Sequence, residues 1–330
     1  MTIVLTLFLG FFANGEKYAY PEQRILAAGV ENIQISGVRG QIKLTGHSSK
    51  SFRLRVKHSK GKKYDDWSLA VDRRGNTLYF EVSSVAYGAQ WRKLVKQDLW
   101  PEFDVELSGP PVAAVVSWRE GDLEYIDWTA PVESSHIKGH LTVKGGVGKY
   151  SLQTGEGDVS VSKLAGDLTL KGESGRVTIE QLTGPLKLSW LSGAVNLSNV
   201  MGGGQLDLND NELKISACQG EWTVKMAGGK AKIDRCSGKL TAQGVSTEWE
   251  LRAAHDLETE IKSESGAVSV KWRSGGAKVF LTSESGEIGG PKVQTKLDAE
   301  GRKVAEFKVG EKPFGQVFVR TQSGPIVFKQ

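Results

Sequence analysis

The chain is poor in the residues that most often carry chemistry. Its 330 residues include two cysteines, five histidines and three methionines. His47, His58, His136, His140 and His255 are scattered along it. The one close pair, His136 and His140, would reach a common metal only from a helix, and His140 falls in a stretch that reads as a strand. No nucleophile elbow, P-loop or dinucleotide fingerprint occurs. A metal site, a cofactor and the common hydrolase centres are therefore not expected.

Long apolar runs are equally scarce. Residues 3–13, IVLTLFLGFFA, form one that is too short to span a bilayer and has the length of a signal-peptide core. With Ala13 and Gly15 behind it, residues 1–15 read as an export signal, although no Lys or Arg precedes the run. A buried first strand is the alternative. No later segment could cross a membrane, so the mature chain is expected to be exported, to the periplasm, the cell surface or the medium. A charge excess of one sign is almost missing, with 43 Lys and Arg against 38 Asp and Glu. That mild, dispersed positive balance favours anionic polymers or surfaces over cationic ones, and no nucleic-acid motif accompanies it.

What the chain has in quantity is glycine, 40 residues of it, and the glycines keep time. In GDVSVSKLAGDLTLKGESGRVTIEQLTGPLKL, residues 157–188, Gly157, Gly166, Gly175 and Gly184 each open a phrase with two aliphatics one residue apart. Such alternation after a turn residue is the signature of a short half-buried strand. A second pattern has twice the period: Leu164, Leu182, Val200, Cys218 and Cys236 recur every 18 residues, where the intervening turns have no apolar residue. Two kinds of turn alternate, so the unit is an 18-residue coil with two strands. The fold class is all-β, a parallel β-solenoid. Residues 18 apart should then stack about 4.8 Å apart, which sets Lys149 by Asp167, Asp158 by Arg176, Glu212 by Lys230 and Glu221 by Lys239. The beat resumes after Gly202, Gly203 and Gly204, which read as a register slip. Residues 16–130 read as an irregular β portion with inserted loops, at 58–68 and at 84–102, where a short helix or lid would break the alternation. Residues 131–330 read as the regular solenoid.

The phrases GDVSV and SGAVSV, the ending TQSGPIVF and the upstream GVRGQIKL resemble the bacterial putative adhesin family over roughly residues 29–330. That resemblance implies an envelope β-solenoid and carries over no catalytic motif.

Three groups of residues are candidates for function. Trp67, Trp91, Arg92, Lys93, Lys96 and Trp100 combine aromatic and basic side chains, which can stack on sugars or sit at an anionic surface; sealing the open first coil is their competing role. Cys218 and Cys236 occupy consecutive places in the apolar turn column and read either as a disulfide or as two small buried thiols. Glu173, Glu264 and Glu284 share a place in GESG and SESG turns, and the last two could lie one coil apart as an acid pair. The reading is a non-catalytic, exported envelope or surface protein whose rigid solenoid serves adhesion or ligand binding. Its expected partner is an anionic envelope glycan, a lipid surface or an envelope protein, with no nucleic acid. The alternatives are a polysaccharide-active enzyme on a β-helix and a self-assembling structural scaffold.

Overall fold

The computed structural model of the chain describes residues 3–5, 18–19, 21–58, 67–84, 102–253, 257–273, 275–291, 293–310 and 313–329. Every regular element among them is a β-strand, and no helix among them is long and apolar enough to cross a membrane. The chain divides into two compact units, Met1–Gly166 and Asp167–Gln330.

In the second unit the alternating phrases fuse into long bent strands, Leu168–Thr183, Leu186–Met201, Gly204–Ser216, Gln219–Asp234 and Ser237–Ala253. They stack in parallel with a constant offset of 18, through Leu168, Leu186, Gly204, Trp222 and Leu240. Most inward positions are filled by aliphatic or aromatic side chains from which water is excluded, as at Leu170, Val177, Ile179 and Leu197. Glu212 stands opposite Lys230 and Glu221 opposite Lys239, as the repeat requires.

Two glycine columns generate the nine-residue beat. At the corner of the coil, Gly175 and Gly193 both have φ near +123°, and a Cβ on Gly193 would lie 2.1 Å from the Gly175 carbonyl oxygen. On the opposite side Gly184, Gly202, Gly220 and Gly238 repeat the left-handed requirement. The second period has its own backbone cause. Gln181, Asn199, Ala217 and Arg235 all adopt φ between 52° and 57°, and this αL kink turns the next side chain, Leu182, Val200, Cys218 or Cys236, into the core.

Gly202, Gly203 and Gly204 do not mark a register slip: the ladder passes through them at the same offset. Gly204 stands where an aliphatic residue is expected because the Trp222 ring takes its space, a Cβ there being 2.7 Å from the ring. Trp190 likewise covers Gly172, and Trp249 stacks on Ala231. Each of these tryptophans thus lies beside a small residue of the adjoining coil, which gives its ring room in a close-packed core.

Beyond Ser237–Ala253 the coil order departs from the sequence order. Leu257–Ser263 and Val268–Trp272 form the next coil, at an offset of 19. The coil stacked on it is the last in the chain, Pro313–Thr321 with Ile326–Lys329. Gly276–Ser283 and Ile288–Gly289 lie on the far side of that coil. Lys303–Val309 then pairs antiparallel to Gly276–Ser283, which ends the parallel ladder on an antiparallel strand.

The first unit shows the same device. Ala113–Glu120, Val132–Lys138 and Tyr150–Glu156 stack in parallel with an offset of 18, as do Leu123–Ile126, Leu141–Lys144 and Val159–Ala165. The coil Asn32–Arg39 with Ile42–Gly46 is inserted between Ala113–Ile126 and a coil made of Thr77–Ser84 and Phe103–Gly109. Ser51–His58 and Trp67–Arg74 close it antiparallel. Of residues 1–15, only Ile3–Leu5 are described; they pair antiparallel with Val71–Arg73. The helix or lid expected within residues 84–102 lies, but for its ends, outside the described residues.

One buried polar cluster interrupts this core. Ser134, His136 and Thr154 point inward; His136 Nε2 donates to the Gly139 carbonyl at 3.1 Å and lies 3.2 Å from Thr154 Oγ1. Burial lowers the His136 pKa, against the smaller raising effects of the Gly139 carbonyl and Asp122. The folded state therefore holds a neutral ring, and below pH ~6.5 the unfolded chain binds the proton more readily. Stability is expected to be full above that pH and to fall as pH drops towards the folded pKa. In His136→Gln the urea midpoint should vary less between pH 7 and pH 5 than in the wild type; an unchanged slope would contradict this assignment.

Candidate ligand groove

A groove of about 760 Å³ runs along the bent corner of the second unit. Three adjacent positions, repeated coil after coil, build it. The floor is the column Trp190, Leu208 and Met226, whose side chains are buried. One rim carries Leu191 and Val245, which are 53% and 47% exposed. The other carries Ser189, Asp207, Lys225, Gln243 and Lys262 in register. Gly172 and Gly244 continue the floor column without side chains, their space taken by Trp190 and by Trp249 with Thr247. Because every member sits on a hydrogen-bonded strand, the groove is held rigidly before any ligand arrives. It offers exposed apolar groups along one rim and polar groups of both charge signs along the other, a surface suited to an extended amphipathic chain.

The turn carboxylates do not form a pair on neighbouring coils. The inserted last coil separates them: Ser323 N donates to Glu264 O at 2.8 Å, and Ser285 N donates to Gln322 O at 2.8 Å. Glu264 and Glu284 are therefore two ladder steps apart, about 9.6 Å in backbone terms, and Arg320 holds Glu284 at 3.0 Å. Glu173 is five coils from Glu264. The expectation of neighbouring coils failed because the chain returns between them only at its end. Among the described residues no group of three or more His, Cys, Asp or Glu could hold a metal ion.

The aromatic and basic candidates lie largely beyond the described residues. Trp91, Arg92, Lys93, Lys96 and Trp100 fall there. Trp67 begins the strand Trp67–Arg74, opposite Ser84. Two later tryptophans are core residues: Trp118 Nε1 donates to Gly40 O at 3.1 Å and Trp128 Nε1 to Val112 O at 3.0 Å. Cys218 and Cys236 are free, buried thiols here. Cys218 donates to Ser216 O at 3.3 Å. The adjacent Cys218 thiol together with burial pushes Cys236 well above the ordinary thiol range, so it stays protonated near neutral pH. Leu191 and Val245 escaped the sequence reading because their column also contains Asn209 and Ala227, which breaks any apolar period.

Parallel coils with a filled core define a parallel β-solenoid, with a groove along one corner of its second unit. Residues 121–226 match the family model described as Toastrack DUF4097, in agreement with the resemblance drawn from the sequence. Comparison with curated proteins gives no match. Among solved structures, the "putative cell adhesion protein from Clostridium sporogenes ATCC 15579" is similar, at 12% identity and a TM-score of 0.21, over 96% of this chain and 100% of that one.

Proposed function

We propose that the chain is a non-catalytic, exported envelope or surface protein whose solenoid presents a preformed binding groove. The observation that carries this reading is the corner groove itself, in which consecutive coils supply equivalent positions along one continuous channel. Its occupant is an extended chain with apolar groups, such as a segment of an envelope protein, lying against Leu191 and Val245 with its polar groups towards Asp207, Lys225 and Lys262. The engagement of Glu284 by Arg320 supports binding over polysaccharide cleavage. The apolar run at residues 3–13 supports export.

Retention of the purified chain on isolated envelope material tests the groove. Leu191→Asp with Val245→Asp places two charges on exposed rim positions, where folding tolerates them, and burying them under an apolar ligand is unfavourable. Retention is expected to fall by about tenfold or more, whereas Lys230→Ala with Glu248→Ala, at exposed positions outside the groove, should have little effect. Equal retention of the Asp variant and the wild type would remove the groove as the binding site.

A further inference from the structure

Along most of the second unit, charged side chains on neighbouring coils offset one another. Lys230 lies 2.9 Å from Glu248, Lys232 3.5 Å from Glu250 and Lys239 3.7 Å from Glu258. Where like charges oppose, at Lys214 with Lys232 and at Lys262 with Arg320, each has a carboxylate of its own, Glu212, Glu250, Glu260 and Glu284. Lys271 and Lys329 oppose one another without one among the described residues, and so does a cluster at the terminal sheet. There Lys278 stands directly opposite Lys308 across an antiparallel pair, and Lys296 faces the same space. These three lysines form no ion pair among the described residues. Like charges directly opposite one another destabilise a sheet, so this local arrangement is disfavoured unless an anion offsets it.

The next row of the same face carries aromatic surface. The inserted last coil makes Phe318 the neighbour of Phe280. Their rings are parallel within 6°, with centroids 4.8 Å apart, and Phe318 is 38% exposed on what is otherwise a polar outer face. Lys278, Phe280, Lys296, Val304, Glu306 and Lys308 line a groove of about 650 Å³. It shares no residue with the corner groove.

We propose that this groove binds an acidic polysaccharide, with Lys278, Lys296 and Lys308 on uronate carboxylates and the Phe280 and Phe318 pair against the apolar faces of the sugar rings. The chemistry fits each component. The C–H groups on a pyranose face carry partial positive charge and meet the negative face of an aromatic ring. Flexible lysines supply point charges that tolerate the varied placement of carboxylates along a polymer. Glu306 accepts hydrogen bonds from sugar hydroxyls. A bilayer fits less well: three lysines fall short of the usual basic cluster for anionic lipid, about four to eight residues, and the surface is a bounded groove rather than a plane. The inference stands independently of the corner groove, since it concerns other residues.

Calorimetric titration of the full chain with polygalacturonate, and with its fully methyl-esterified form, tests the proposal. Wild type is expected to bind the acid form, more weakly as ionic strength rises, and to bind the ester poorly. Lys278→Gln with Lys308→Gln should weaken binding by about tenfold. Phe280→Leu, which keeps apolar volume without the ring, should weaken it by about fivefold. Far-UV circular dichroism of each variant reports folding, and the two Gln changes are at exposed positions. Absence of polygalacturonate binding, or equal binding by correctly folded variants, would overturn the proposal. So would binding to phosphatidylglycerol vesicles alone, lost in the double Gln variant, which would mark a lipid-contact surface instead.

Discussion

Replacing Gly193 with alanine is expected to destabilise the chain by about 3–5 kcal/mol, one of the largest losses any single methyl group could cause. Two effects add. At φ +123° an L-residue is strained whatever its surroundings. The new Cβ would also lie 2.1 Å from the Gly175 carbonyl oxygen, an acceptor fixed in the ladder of the adjoining coil. The clash cannot be relieved by rotating a side chain, because both atoms belong to backbones a ladder spacing apart. Denaturant unfolding followed by tryptophan fluorescence measures the loss. Gly75→Ala provides the contrast: its φ of +62° is left-handed, but nothing lies within 4 Å of a Cβ there, so only the conformational part, about 1 kcal/mol, should appear. Equal losses at the two sites would show that close stacking of coils is not what requires glycine at the corner.

The second large effect is expected at Trp249. Its ring is buried and stacked on Ala231 of the preceding coil, and the indole N–H has no hydrogen-bond partner among the described residues. Trp249→Ala should cost about 3–5 kcal/mol through the cavity it leaves. Ala231→Leu alone should cost about 1–3 kcal/mol through overpacking. Trp249→Leu with Ala231→Leu redistributes volume between the two coils, so the double variant should be more stable than the sum of the single Trp249→Leu and Ala231→Leu changes predicts, by about 0.5–3 kcal/mol. A double-mutant cycle from urea unfolding gives the coupling directly. Strict additivity would mean that the two positions do not share a layer of the core.

These expectations could be framed because repetition makes coil stacking visible in a sequence. Wherever consecutive coils are 18 residues apart, the periodicity of Leu168, Leu186 and their equivalents specifies both the inward face and the neighbour. The ends of the solenoid were not legible for the same reason. Val268 and Ile326 are partners at a separation of 58 residues, and strand alternation says which face a side chain occupies without saying which coil lies beside it. This single ambiguity hid the separation of Glu264 from Glu284 and the meeting of Phe280 with Phe318. The misreading of residues 202–204 has a different origin. An aliphatic was expected at Gly204, and only the packing shows that a ring from the next coil occupies its place. The corner groove was hidden because an outward apolar residue on one coil gains meaning only from the coils on either side.

The order of coils in the second unit is the claim on which the groove, the separated carboxylates and the Phe280–Phe318 pair all depend. Spin labels test it, attached to cysteines in a Cys218→Ser, Cys236→Ser background. With one label at Lys171, the second is placed in turn at Asp207, Lys225, Lys262, Arg320 and Thr282, which lie in one row across the sheet. Electron–electron distances should grow by about 4.8 Å per coil, with Arg320 nearer to Lys171 than Thr282 is, although it comes later in the chain. A shorter distance to Thr282 than to Arg320, or no regular increase along the row, would contradict the fold described above.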